Sequence, residues 1–272
     1  MAFPLFDTHC HLGHQEFKGD IFEAVERAKK SGVRGFAIIS ADRVSVDRVP
    51  ETTRELAKKF SDSLFCFSTG IHPHDAKDLD DEIWAKIENL AHTEAQAVGE
   101  AGLDFYYDHS DRNLQRDCFR KHIDLACRAR KPLVIHCRNA AAEVLEDLRA
   151  SKDLKSHPQP GILHCFTENW DFASSVLDLG FMISFSGIIT FKNAGDLRET
   201  FQKVPLDRLL VETDSPWLAP VPYRGKQNEP AFVKEVGEFA LSLRKENSDS
   251  VREALWKNSC KVWSRDDSLI QI

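Results

Sequence analysis

Short apolar runs alternate with longer amphipathic segments along most of the chain, and this pattern predicts eight strand–helix units. Strands are expected at Leu5–His11, Gly35–Ser40, Leu64–Gly70, Gln96–Leu103, Leu133–Arg138, Gly161–Phe166, Phe181–Ser186 and Arg208–Asp214. Helices are expected between them at Ile21–Lys30, Glu51–Phe60, Asp80–Leu90, Asn113–Arg130, Ala140–Leu148, Trp170–Leu179 and near Gly195–Gln202. Two more, Ala231–Lys245 and Ser250–Trp263, follow the eighth strand. In the first helix Ile21, Ala24, Val25 and Ala28 recur at the spacing of one helical face. Gly32 follows as a stop, and Pro132 ends the long fourth helix. Eight such units over about 250 residues fit a (β/α)8 barrel, an α/β fold, with a doubly wound sheet as the alternative. The expected organisation is one domain over residues 1–272, because no Pro-, Gly- or Ser-rich linker divides the chain. The proline-rich stretch Pro216–Pro230 reads as a loop after the eighth strand.

The first strand carries a pattern of its own, Phe6-Asp7-Thr8-His9-Cys10-His11. Strict alternation would send Asp7, His9 and His11 to one face and Phe6, Thr8 and Cys10 to the other. Two imidazoles two residues apart can reach one metal ion, or they can be solvated loop histidines; the other strand ends decide between these. In barrels of this kind chemistry gathers at the C-terminal ends of the strands. There the chain has His72 and His74, Glu100 and Asp104, His136 and Arg138, His164, and Glu212 and Asp214. The count fits two ions. His9, His11 and Asp214 are expected to hold the first, His136 and His164 the second, and Glu100, with two oxygens, to bridge them. Two dications about 3.5–4 Å apart lower the pKa of a shared water, and Asp214 is placed to accept its proton. Imidazole with carboxylate suits Zn or Mn and tolerates Mg or Co. Asp7 reads either as a partner that orients the histidines or as a carboxylate in a barrel layer. His14, His92, His109, His122 and His157 read as solvated, and His74 is left open.

Composition narrows the setting. Of 272 residues, 42% are hydrophobic and 29% charged, which is ordinary for a globular chain. The longest apolar runs fall well short of the ~20 residues of a membrane helix. The start Met1-Ala2-Phe3-Pro4-Leu5 lacks the form of a signal peptide. Seven cysteines without framework spacing, several of them in apolar runs, point to a reducing, cytoplasmic setting. A net charge of -7 argues against bulk electrostatic binding to nucleic acid, though local Arg, Lys and dications can still make one face positive. A monomer is the simplest expectation.

Together, the segments Asp7–Leu12, Gly70–His74, Gly99–Asp104, His136-Cys137-Arg138, His164-Cys165-Phe166, Glu212–Pro216 and Tyr223–Lys226 resemble the TatD family of metal-dependent deoxyribonucleases. The resemblance runs in order from about residue 5 to about residue 260. It implies a (β/α)8 metal hydrolase that cleaves phosphodiesters in DNA, often 3′→5′, with ligands at His9, His11, Glu100, His136, His164 and Asp214. The chain departs from the family pattern at Gly13, Glu168, Gln227 and the residues after Asn258. None of these removes a ligand, but Glu168 and Gln227 alter charge where a polyanion would pass.

The substrate rests on groups around the ions. Arg138 shares the face of His136 and can fork onto a phosphate, or else pair with Glu100 or Asp214. Arg224 and Lys226 are expected to meet neighbouring phosphates from a loop, and His72 to bond a phosphate oxygen or a water. Phe105, Tyr106 and Tyr107 offer either a stacking face for bases or a buried aromatic cluster. The expected substrate is single-stranded DNA. Hydrolysis of another ester, such as D-aminoacyl-tRNA, and a non-catalytic metal-binding role are the alternatives.

Overall fold

The computed structural model describes residues 3–264. Its strands are β1 (Leu5–Cys10), β2 (Val33–Ile38), β3 (Leu64–Thr69), β4 (Ala97–Asp104), β5 (Leu133–Arg138), β6 (Gly161–Leu163), β7 (Met182–Phe185) and β8 (Leu209–Val211). Each pairs in parallel with the next, in the order β1 to β8. Helices α1 (Ile21–Lys30), α2 (Arg43–Lys59), α3 (Asp81–Thr93), α4 (Arg112–Ala129), α5 (Ala141–Ala150), α6 (Trp170–Asp178) and α7 (Gly195–Lys203) connect them. Helices α8 (Val233–Leu243) and α9 (Ser248–Trp263) follow β8. This is the (β/α)8 barrel expected from the pattern.

The barrel closes where the chemistry lies. The Asp214 amide donates to the His9 carbonyl at 2.9 Å, and the His11 amide to the Ser215 carbonyl at 2.8 Å. Joining β1 to the end of β8 therefore brings His9, His11 and Asp214 together as a consequence of closure.

Two apolar layers hold the fold. An outer core lies between strands and helices and includes Leu5, Phe36, Ile135 and Phe185. The inner layer takes Phe6, Ala37, Cys66, Ala97, Val134, Ile162, Met182 and Leu210, one from each strand. Helix α9 supplies Trp256, Cys260, Val262 and Trp263 to that inner layer and so fills one end of the barrel. Two residues beyond Val134, Ile162 and Leu210 come His136, His164 and Glu212. The same period of two that packs the interior thus turns polar at its open end.

Two departures from the pattern have clear causes. Helix α2 starts at Arg43, not Glu51, and carries Pro50 inside it. Asp42 accepts from the Ser45 amide while Ser45 caps the Asp42 backbone in return, so a capping box starts the helix before the apolar periodicity shows. In β1, the pairing with β2 shifts between Asp7 and Cys10. Phe6 is in the inner layer and Cys10 in the outer core, although four residues of regular strand would keep them on one face. Asp7 is consequently out of phase with His9 and His11. Its carboxylate accepts from the Thr213 amide at 2.8 Å and from the Thr213 hydroxyl at 2.6 Å, which ties β1 to β8. The His9 amide also lies 3.4 Å from Asp7 Oδ1, so Asp7 braces the β1 backbone and bonds no imidazole among the described residues.

Candidate metal centre

Glu100 sits at the middle of the open end, 2% exposed, and its two oxygens face different neighbours. Oε2 lies 3.3 Å from His9 Nε2 and 3.6 Å from His11 Nε2. Oε1 lies 3.4 Å from His72 Nε2, 3.3 Å from His136 Nδ1 and 2.7 Å from His164 Nε2. Backbone space permits this. A Cβ at Gly102 would lie 1.9 Å from the His136 carbonyl oxygen, in a residue whose φ of +151° also suits glycine, so β4 and β5 approach closely beside Glu100.

On the first side Asp214 Oδ1 completes the group, 3.7 Å from His9 Nε2 and 3.4 Å from His11 Nε2, with the two Nε2 atoms 3.0 Å apart. A tetrahedral zinc site with bonds of about 2.0–2.1 Å needs donors roughly 3.3–3.4 Å apart. The distances from the His9 and His11 nitrogens to each other and to the two carboxylates, 3.0 to 3.7 Å, bracket that value. On the second side His164 Nε2 lies 2.7 Å from Glu100 Oε1 and is buried without an aligned hydrogen bond, and His72, Glu100 and His136 bring their ligand atoms together. The donor set therefore fits divalent cations on both sides of Glu100.

Charge follows from these contacts. Burial opposes ionisation of Glu100, but the charge on His164 and the His136 bond outweigh it and hold its carboxyl well below the usual range. Burial likewise opposes a charged His164, and Glu100 and Glu212 overcome it, raising that imidazole well above its ordinary value. Burial, aided by neighbouring histidines, pushes His72 well down, and burial with His164 lowers His9. Asp214 is lowered as well, since bonds from His11 and the His9 charge overcome burial.

Each histidine of the second group rests its far nitrogen on a carboxylate. His136 Nε2 is 3.1 Å from Asp104 Oδ2. His164 Nδ1 is 3.4 Å from Glu212 Oε1, which itself accepts from the Cys165 amide at 2.7 Å. Such contacts fix ring orientation and tautomer. Asp104 and Glu212 stood at strand ends in the sequence without a role; their residue type was visible, but not which imidazole each would meet.

The open end forms a cavity of about 600 Å³ whose lining includes His11, Glu100, His136, His164, Asp214 and Arg138. Arg138 does not pair with Glu100 or Asp214 among the described residues. Its guanidinium lies 4.5 Å from the Tyr106 ring centre and 4.7 Å from that of Tyr107, and both tyrosines are exposed. Phe105 instead packs against the outer core. His72 lines the cavity, whereas Arg224 and Lys226 stand over the Phe191 and Tyr223 rings and are not among its lining residues. Gln227 exchanges bonds with the Lys18 backbone, and Glu168 accepts from the Asn139 amide, so both departures brace loops.

Three histidines are not solvated as expected; one of them, His157, is half-buried and its Nδ1 accepts from the Gln159 amide at 3.2 Å. His122 is buried; its Nε2 accepts from the Ile71 amide and its Nδ1 bonds the Cys118 carbonyl, which anchors the turn before His72. His14 is half-buried and its Nε2 lies 2.9 Å from Asp42 Oδ2. Burial opposes charge on Asp42, but His14 and the Ser45 amide lower its carboxyl to about 2. A lowered carboxylate contributes stability that is present above its unfolded value near 3.8 and lost as pH falls through about 2. Asp42→Asn is therefore expected to cost up to about 2 kcal/mol at neutral pH. Urea titrations should show that deficit shrinking between pH 4 and pH 2; a deficit independent of pH would contradict the pairing.

A barrel whose open end gathers histidines and carboxylates around one central glutamate defines a metal-dependent hydrolase. Comparison with known proteins agrees and is more specific. Residues 6–264 match the family described as TatD related DNase, and the chain belongs to that family. It is 36% identical over 260 residues to the uncharacterized metal-dependent hydrolase YabD of Bacillus subtilis, covering 95% of this chain and 98% of that one. It is 32% identical over 266 residues to the 3′-5′ ssDNA/RNA exonuclease TatD of Edwardsiella piscicida, covering 95% and 99%. The crystal structure of YjjV, a TatD homologue from Escherichia coli, superposes with a TM-score of 0.86 at 25% identity, covering 96% and 98%. Among the described residues no helix is long and apolar enough to cross a membrane.

Proposed function

We propose that this protein hydrolyses phosphodiester bonds in DNA, acting 3′→5′ on single strands, with two divalent ions divided by Glu100. The carrying observation is the split of the Glu100 oxygens, one toward His9 and His11 and the other toward His72, His136 and His164. In this reading His9, His11 and Asp214 hold one ion, His136 and His164 the other, and Zn, Mn, Mg and Co are the candidates. When bound, such ions supply Lewis-acid activation of water and neutralise phosphate charge. His72, grouped by position with Glu100 and His136, either joins the second set or bonds a phosphate oxygen. Asp214 takes the proton of the attacking water at a carboxylate oxygen, a role that rests on its place beside His9 and His11. Asp104 and Glu212 hold the imidazoles of His136 and His164 in place. Arg138 meets a phosphate from the cavity wall, and the exposed tyrosines offer base-stacking surface. The name of the Edwardsiella relative, an exonuclease for single-stranded DNA and RNA, supports the substrate class.

The test is turnover on a labelled single strand, with D-aminoacyl-tRNA and simple esters alongside, under one metal condition at a time. Release of nucleotides from the 3′ end is expected. DNA left at full length with Mg, Mn, Zn and Co, while an aminoacyl ester is cleaved, would replace this reading. Arg138→Ala should raise KM for DNA roughly 10-fold or more, since a charged hydrogen bond contributes about 1.5–3 kcal/mol, with a smaller effect on kcat. An unchanged KM would remove Arg138 from the phosphate site.

A further inference from the structure

Asp104 has more to do than hold His136. Its backbone is clamped by the fully buried Gln115 of α4: the Asp104 amide donates to Gln115 Oε1 at 2.8 Å, and Gln115 Nε2 donates to the Asp104 carbonyl at 3.2 Å. With the main chain held, the carboxylate is aimed. Oδ2 meets His136 Nε2 at 3.1 Å and His74 Nε2 at 3.0 Å. Oδ1 accepts the amides of Tyr106 and Tyr107, both at 3.0 Å. These two bonds curl the chain so that both tyrosine rings reach the Arg138 guanidinium. His74 adds a ring contact of 5.6 Å to Tyr107. One buried carboxylate thus has a metal-site imidazole on one oxygen and the turn that seats Arg138 on the other.

We propose that Asp104 is a positioning residue that couples the His136 side of the metal centre to the Arg138–tyrosine wall, so that ion uptake orders the surface that receives the substrate phosphate. The inference rests on the metal assignment above. The physical basis is that a carboxylate with both oxygens engaged cannot turn toward one partner without releasing the other. Restraint on His136 by an ion is therefore felt at the Tyr106 and Tyr107 amides. Linkage makes the effect reciprocal in free energy: a phosphate ordering Arg138 and the turn favours the ion at His136. Glu212 provides the internal comparison, because it meets His164 but none of the Tyr106–Tyr107 turn.

Three measurements test this on the full chain. In Mn2+ titrations read by electron paramagnetic resonance, Asp104→Asn should weaken one of two ions by about 10–100-fold and spare the other, and Glu212→Gln should do the same. In metal-free protein, Asp104→Asn should weaken binding of thymidine 5′-monophosphate several-fold, whereas Glu212→Gln should not. In the wild type, saturation with Zn2+ should slow hydrogen exchange at the Tyr106 and Tyr107 amides; this arm needs no variant and stands even if Asp104→Asn does not fold. Unchanged exchange on zinc binding would overturn the coupling, as would equal loss of nucleotide affinity in both variants or full Mn2+ affinity in Asp104→Asn. A wild type that takes up no ion would instead refute the metal assignment. One that binds ions and slows exchange but cleaves no DNA would refute only the choice of substrate.

Discussion

Glu100→Gln is expected to abolish hydrolysis, by roughly a thousandfold or more, and to leave protein that no longer retains two ions after gel filtration. A thousandfold loss corresponds to about 4 kcal/mol of barrier. The amide keeps the size of the carboxylate, so the change is one of charge and bridging rather than of packing. Glu100 stands between the two groups of histidines: five imidazole nitrogens lie within 3.6 Å of its oxygens. Replacing one oxygen by NH2 puts a donor where a cation should sit and removes the charge that supports His164. Metal analysis together with turnover decides the matter. A variant with two ions and wild-type rate would show that Glu100 does not bridge. His9→Ala, in contrast, should vacate one ion and keep the other. It will also disturb His164, whose ring is stacked on His9 at 3.8 Å, so the retained ion should bind less tightly.

The second large effect concerns the opposite end of the barrel. Trp256→Ala should destabilise the protein by about 3–5 kcal/mol, the range for emptying a large buried aromatic site. Trp256 is 1% exposed, lies in the inner layer with a residue from every strand, and has its ring centre 6.0 Å from that of Phe6. Backbone closure at that end cannot refill the space, because α9 enters the barrel as one piece with Cys260, Val262 and Trp263. Guanidinium unfolding should show a lower midpoint with an unchanged slope, and Tm should fall on the order of 10 °C. Since Phe6 lies one bulge away from His9, folded Trp256→Ala at low temperature should still bind metal. A loss below about 1 kcal/mol would mean that α9 covers the barrel without filling it.

How far the sequence could be read follows from which interactions are local. Strand β5 and helix α1 have the predicted bounds, because an apolar run ending in His136 and a clear helical face with its own stop need no outside help. Helix α2 is longer than its apolar periodicity predicts because its first turns are polar and the Asp42–Ser45 capping box starts it at Arg43. That these strand-end side chains meet at the open end is legible for a similar reason: period two brings an interior residue there wherever an inward apolar residue precedes it by two. That logic failed in β1, where a bulge breaks the period and sends Asp7 to Thr213.

By itself, then, the sequence determined the alternation of strands and helices, the barrel, the family and the residue types at each strand end. Those depend on periodicity and on motifs, which are properties of neighbours along the chain. Only the tertiary structure decided which oxygen of Glu100 faces which imidazole, that Asp104 and Glu212 meet His136 and His164, that Arg138 lies on Tyr106 and Tyr107, and that His122 is a buried anchor. Each of these is a contact between strands or loops distant in sequence. Its partner is set by the closure of the barrel and the register between strands, and by a bulge that no local pattern records.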